Sequence, residues 1–295
     1  MLDRPKHARK PRRWRLPLLA GLFAAGFALA ATDSRADTLE RIDARGSIKL
    51  GVRADAPPFA SINKTGEAVG YMVDICRAVA EETRRALGRE TLKIEYIPLT
   101  AENRFEKVRA HEADILCGPT TQTLSRRETV DFSLPTFVDG ASVLLPTDGA
   151  QSLRELTGGR IGVRAGTTTE EALNNTLKAM DIEAEVVAVQ DHFDGVSRVR
   201  DGKLDAYFAD MAILLFVLQQ TENPQSLRIA SQQFTQEPYA LALARGDSDF
   251  RLVVDRALAR IYRSGRVAEV FRAHFSPAAP SDLLRALFVI HALPE

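Results

Sequence analysis

The chain has 295 residues, 26% of them charged and 45% hydrophobic, which is enough for two domains with their own cores and excludes a disordered or low-complexity protein. Lysine plus arginine and aspartate plus glutamate both number 39, but that balance joins two unlike pieces. The first 36 residues hold eight basic side chains against Asp3 and Asp33, so the remainder carries 31 basic and 37 acidic groups, net −6, which argues against nucleic acid as a partner.

The first piece reads as a secretory signal peptide. Arg4, Lys6, Arg9, Lys10, Arg12, Arg13 and Arg15 form a basic region, Leu16 to Ala31 an apolar stretch of 16 residues, and Ser34-Arg35-Ala36 a small-residue cleavage site. A bilayer span needs about 20 apolar residues, so an anchor is disfavoured. Arg12-Arg13 lies in a run of basic residues without a flanking twin-arginine consensus, which leaves the export route open. No second apolar segment of spanning length follows residue 37, so the mature chain is expected to be soluble and exported. Two cysteines remain, Cys76 and Cys117. An exported chain permits a disulfide between them, and the alternative is two small buried apolar residues.

Strand-like and helical runs then alternate. Ile48 to Val52 reads as a strand, Pro57-Pro58 and Asn63 to Gly66 as loop and turn, and Met72 to Leu87 keeps helical spacing. Strands at Leu92 to Leu99 and Ala113 to Cys117 flank a helix from about Ala101 to Ala110. The same grammar restarts after Thr147-Asp148-Gly149, with strands at Arg160 to Arg164, Glu185 to Gln190 and Asp205 to Asp210. Helices are expected at Thr168 to Ala179 and Met211 to Gln220. Strand character at Tyr239 to Ala244 precedes helices at Asp249 to Arg263 and Val267 to Phe275. A proline-punctuated tail, residues 280–295, holds a short helix at Leu283 to Val289. The fold class is α/β with two lobes: residues 37–142 with 243–279, and residues 147–238. The chain crosses between them twice, near Ser142 to Pro146 and Tyr239 to Leu243, giving two hinge strands. Mainly parallel sheets follow from this order, with ligand sites outside the carboxyl ends of the strands.

No nucleophile elbow, zinc helix or phosphate loop is present, and the five histidines are scattered, so neither metal nor cofactor is expected. Unusual polar groups follow the strands instead. Arg53 ends the first strand, Arg104 opens the helix after Leu99-Thr100, and Pro119-Thr120-Thr121 leads to Arg126. Gly166-Thr167-Thr168-Thr169 opens a helix whose free N–H groups attract an anion, or forms an ordinary capping box of Thr168 with Glu171. Three arginines at strand ends in an acidic protein fit a ligand with more than one carboxylate. Asp210 either balances a cationic group or caps the helix that begins at Met211.

These pieces, with Gly51-Val52-Arg53, Gly70-Tyr71-Met72-Val73-Asp74, Thr100-Ala101-Glu102-Asn103-Arg104, Cys117-Gly118-Pro119-Thr120-Thr121, Asp131-Phe132-Ser133 and Asp191-His192, occur in one order from about Thr38 to Phe275. The set resembles the type II periplasmic solute-binding proteins of amino-acid ABC transporters, and among them the glutamate/aspartate-binding group. The resemblance implies that Arg126 grips the ligand α-carboxylate with donors around Thr121 and Thr168, and that Asp210 pairs with the α-ammonium. It implies that Arg53, Arg104 and His192 receive a side-chain carboxylate. Ala101 and Pro119 stand where that group often has serines, which removes hydroxyls from the site. The implied protein is a periplasmic monomer, not an enzyme, that delivers an acidic amino acid to a membrane permease and its ATPase. The alternatives are a binder of another polar amino acid, an exported cyclohexadienyl or arogenate dehydratase with Glu170 or Glu171 as acid, and a sensing module acting through a separate partner.

Overall fold

The computed structural model describes residues 37–295, so the expected leader, residues 1–36, lies outside the described residues. In chain order the first elements are α1 (Thr38–Arg45), β1 (Ser47–Arg53), β2 (Asp55–Ala56), β3 (Ala60–Ile62), β4 (Ala68–Val69), α2 (Tyr71–Ala86), β5 (Lys93–Leu99), α3 (Arg104–Arg109), β6 (Ile115–Cys117), α4 (Leu124–Arg127) and β7 (Val130–Asp139). There follow β8 (Ala141–Pro146), β9 (Arg160–Arg164), α5 (Thr168–Met180), β10 (Glu185–Val189), α6 (His192–Arg200), β11 (Ala206–Asp210), α7 (Met211–Gln220) and β12 (Leu227–Ile229). The chain ends with β13 (Glu237–Ala244), α8 (Ser248–Arg263), α9 (Arg266–Phe275) and α10 (Asp282–Ile290).

Two five-stranded sheets carry the architecture, in the orders β5-β1-β6-β13-β7 and β10-β9-β11-β8-β12. β1 runs parallel to β5 and β6, and β9 runs parallel to β10 and β11. In each sheet the earliest of these three strands lies between the other two, and such a reversal of strand order opens a crevice at the carboxyl ends. Arg53, Arg164 and Asp210 are the last residues of β1, β9 and β11. The two-lobed α/β expectation therefore holds, but the sheets are mixed. β13 runs antiparallel to β6 and β7, and β8 runs antiparallel to β11 and β12.

β7 and β8 correct the expected crossings. Ala141–Pro146 pairs within the second sheet and Glu237–Ala244 within the first, so the chain crosses at Gly140 and again just before Glu237, upstream of the expected positions. The two connections touch: Ala141 N–H donates to Thr235 Oγ1 at 2.9 Å. A Cβ on Gly140 would stand 2.5 Å from the Thr235 carbonyl, so only glycine allows this approach.

Helix α2 packs its apolar face, including Met72, Ile75, Cys76 and Val79, into the first-lobe core. Cys76 and Cys117 are joined by a disulfide with their Cα atoms 6.2 Å apart, tying α2 to the end of β6. An aromatic cluster of Phe59, Tyr71, Phe137, Tyr239, Phe271 and Phe275 fills the space beside the crossings. The C-terminal segment is docked: Leu284, Leu287 and Phe288 of α10 are buried, and Phe288 stacks on Tyr262 at 5.4 Å.

Candidate functional site

All eight expected site residues, Arg53, Arg104, Thr121, Arg126, Thr167, Thr168, His192 and Asp210, line one cavity between the two sheets. Pro119, Arg164, Thr169, Phe208 and Ala209 complete its wall. The strand ends and the helix starts after them meet there, as the reversed strand order requires.

Arg53 leaves β1 along Gly118. A Cβ at that glycine would fall 2.7 Å from Arg53 Cγ, so the missing side chain creates the route by which the guanidinium reaches the crevice. Its Nε donates to Asp55 Oδ1 at 2.8 Å, and Arg164 Nε donates to Asp55 Oδ2 at 3.0 Å from the other lobe. Burial opposes ionisation of Asp55, but the charges and hydrogen bonds of Arg53 and Arg164 outweigh it and hold the carboxyl at about 2. Arg164 also reaches Glu102 at 2.7 Å, a second bond between lobes.

Arg104 has no carboxylate partner among the described residues. It is 2% exposed, its Nη1 donates to the Ala101 carbonyl, and both Nη atoms approach the Gly166 carbonyl at 3.3 Å. Its Nε is buried without a hydrogen-bond partner. Burial, and then the like charges of Arg53 and Arg126, depress its pKa to about 8. Arg126 donates to the Thr121 carbonyl at 2.8 Å, and burial lowers its pKa also. Both guanidiniums lie near the ring of Phe105, at 4.5 and 5.2 Å from its centroid, where cation–π attraction replaces part of the lost hydration.

The opposite end of the cavity is acidic. Asp210 precedes α7 but spends no side-chain bond on its N–H groups. Thr169 Oγ1 donates to Oδ1 at 3.1 Å and Tyr239 Oη donates to Oδ2 at 2.6 Å. The start of α7 is satisfied instead by the Gly140 carbonyl and by Asp139, whose Oδ2 accepts from Ala212 N–H at 3.2 Å. Burial and the charge of Glu237 raise Asp210 to about 6, against the pull of its two hydroxyl donors and Arg53. Burial, and then the charge of Asp210, raise Asp139 well above its ordinary 3.8. Glu237 is buried, and its Oε2 accepts from the hydroxyls of Thr121 and, at 3.0 Å, Thr168.

The cap of α5 falls one residue before the expected box: Thr167 Oγ1 accepts from Glu170 N–H at 3.1 Å. This frees the Thr168 hydroxyl for the cavity. His192 sits at the first turn of α6, with Asp191 as the cap. Its Nδ1 lies 2.6 Å from Tyr207 Oη. Gly195 permits this, since a Cβ there would fall 2.5 Å from the Tyr207 ring. Burial, and then Arg53, depress the imidazole to about 3, so it is neutral.

Asp55, Phe105, Arg164, Glu237 and Tyr239 escaped the sequence reading, and Thr169 entered it only as part of the helix start. Arg164 had a signal: Gly162-Val163-Arg164 repeats the Gly51-Val52-Arg53 ending of β1. Glu237 and Tyr239 sit on a strand whose pairing to β7 shifts register between Tyr239 and Ala240, which hides the alternation that would have marked them.

Comparison with known proteins fits this arrangement. Residues 48–277 match the family described as bacterial extracellular solute-binding proteins, family 3. The chain is 28% identical over 284 residues to the glutamate/aspartate import solute-binding protein of Escherichia coli K12, covering 92% of this chain and 93% of that one. It is 30% identical to the glutamate/glutamine/aspartate/asparagine-binding protein of Rhodobacter capsulatus, covering 77% of this chain and 67% of the relative. An ancestral arginine-binding protein bound to arginine superposes with a TM-score of 0.69 at 26% identity, over 79% of this chain and 99% of that one. A two-lobed fold with a charged interlobe cavity, matched over nearly all of the described chain, places the protein among the amino-acid-binding members of the bacterial extracellular solute-binding proteins, family 3, the family to which it belongs.

Proposed function

We propose that the protein is exported, loses its leader near Ala36, and works as a monomer in the periplasm, where it captures glutamate or aspartate and delivers it to an ABC-type permease with its ATPase. The single observation that carries the acidic specificity is Arg104, a buried guanidinium with no carboxylate partner among the described residues. A buried cation of this kind is costly until an anion joins it. In this reading Arg126 holds the α-carboxylate and Asp210 the α-ammonium, while Arg104 and Arg53 take the side-chain carboxylate. In this reading His192 assists as a neutral donor through Nε2, which assigns Tyr207 Oη as the donor in its 2.6 Å contact with Nδ1.

Residues 37–140 and those from Glu237 onward form one lobe, residues 141–236 the other, and the crossings at Gly140 and Thr235 serve as the hinge. Ligand favours the closed form because it contacts both lobes only there. A micromolar affinity needs about −8 kcal/mol, within reach of a few charge-assisted hydrogen bonds.

One observation favours a second reading. Asp55 already occupies Arg53 and Arg164, which lowers the demand for a second ligand carboxylate and suits a neutral polar amino acid such as glutamine. Two variants separate these. Arg126→Ala should abolish binding of every amino acid, whereas Arg104→Ala should remove glutamate and aspartate binding and spare glutamine. Equal, small losses in both variants would contradict the assigned roles.

A further inference from the structure

Glu237 is not on the cavity wall, yet it touches two residues that are. Its Oε2 accepts the hydroxyl hydrogens of Thr121, on the first lobe, and of Thr168, at 3.0 Å on the second. A threonine hydroxyl has one hydrogen and two lone pairs. With both hydrogens given to one carboxylate oxygen, the 3.2 Å contact between Thr121 Oγ1 and Thr168 Oγ1 has no proton to share. Two acceptor oxygens are thus held side by side at the cavity, near Asp210, whose own oxygens are fixed by Thr169 and Tyr239.

We propose that Glu237 is a positioning residue for ligand selection: by fixing the hydroxyls of Thr121 and Thr168 as acceptors, it makes the site require a protonated amine. An ammonium has three N–H donors, and Thr121, Thr168 and Asp210 offer three oxygens to receive them. A carboxylate, carbonyl or hydroxyl-free carbon at the same place leaves those oxygens facing each other without a donor. This rests on the cavity being the amino-acid site, and it is independent of which side chain the ligand carries.

The test pairs each amino acid with the analogue that lacks only its amine: glutamate with glutarate, and glutamine with glutaramate, in the wild type, Glu237→Gln, Thr168→Val and Thr168→Ser. In the wild type the amine-bearing member should bind more than about 100-fold tighter, since a site built to bond a substrate N–H rejects the analogue lacking it. Glu237→Gln, which removes the carboxylate charge and lets an amide N–H take the place of Oε2 and donate to a hydroxyl, should shrink that ratio about tenfold through loss of the amine-bearing ligand. Thr168→Val should do the same, and Thr168→Ser should restore the wild-type ratio. Equal weakening of both members in Glu237→Gln and Thr168→Val, or no change, would overturn the proposal, because a merely structural latch affects both ligands alike. Tight glutamine with silent glutamate would end the acidic reading while leaving this test intact on the glutamine pair. If neither amino acid binds, exchange of the threonine hydroxyl protons in ligand-free protein decides. Slow exchange at Thr121 and Thr168, lost in Glu237→Gln, supports the assignment, and free exchange at both overturns it.

Discussion

Arg53 donates through Nε to Asp55, two residues along the chain, at 2.8 Å, so one guanidinium of the proposed carboxylate site is already paired inside the protein. Arg53 is 3% exposed, and leaving such a cation unpaired costs about 3 kcal/mol. Asp55→Asn should therefore lower the melting temperature of the ligand-free protein. It should also raise the glutamate-to-glutamine affinity ratio about tenfold, or about 1.4 kcal/mol, as the released cation seeks a ligand carboxylate. Calorimetric titration of both ligands into the variant checks this, and an unchanged ratio counts against it. The pH dependence has a defined sign. Because Asp55 sits at about 2 against an ordinary 3.8, the pairing supports the fold above about pH 4 and is lost as pH falls toward 2.

Arg104 makes the opposite prediction for stability. It is buried without a carboxylate partner among the described residues, so Arg104→Met should raise the melting temperature of the ligand-free protein by about 2–4 °C, the shift expected for about 1 kcal/mol. The same change should weaken glutamate at least about 100-fold. Scanning calorimetry with and without glutamate reads both, and a variant that is less stable without ligand would contradict the account of Arg104 as an uncompensated charge.

Asp210 makes binding depend on pH. Its pKa of about 6 exceeds the ordinary 3.8, so ionising it costs stability: the cost is absent below about pH 4 and complete above about pH 6. A ligand ammonium needs the ionised form. Affinity should fall about tenfold per pH unit below pH 6, and binding near pH 6 should release a proton, seen as a heat that varies with buffer ionisation enthalpy. At pH 8 that buffer dependence should vanish. Affinity that stays constant from pH 5 to 7 would remove Asp210 from the ammonium role.

The disulfide closes a separation of 41 residues between Cys76 and Cys117. In the chain-entropy account a loop of that length adds about 4 kcal/mol. Reduction, or the double change Cys76→Ser and Cys117→Ser, should lower the melting temperature while leaving amino-acid affinity unchanged, because neither cysteine lines the cavity.

Arg53 was legible because it sits where a continuous apolar run stops, in Gly51-Val52-Arg53, and the crevice position of such a residue follows from the βαβ order; Arg164, at the matching end of β9, was missed although it carries the same signal. Of the two long antiparallel strands, β13 was legible only from Tyr239 onward and β7 not at all. Val130–Asp139 mixes serine, proline and threonine with apolar residues and is bent by register shifts against β13, so no period of two survives. The crossings at Gly140 and Thr235 therefore came out several residues late. Cys76 and Cys117 could be named but not joined, since the bond depends on α2 lying against β6. Likewise Glu237, Tyr239 and Asp55 reach the site through strand pairing and interlobe contact, which local spacing does not encode.

The most direct measurement is a calorimetric titration of the mature chain at neutral pH with glutamate, aspartate, glutamine and arginine. Binding of glutamate or aspartate at micromolar affinity or better, with arginine silent and glutamine weaker, is the expected result. Tight glutamine or arginine binding with glutamate and aspartate silent would contradict the assignment of Arg104 and Arg53 to a ligand side-chain carboxylate.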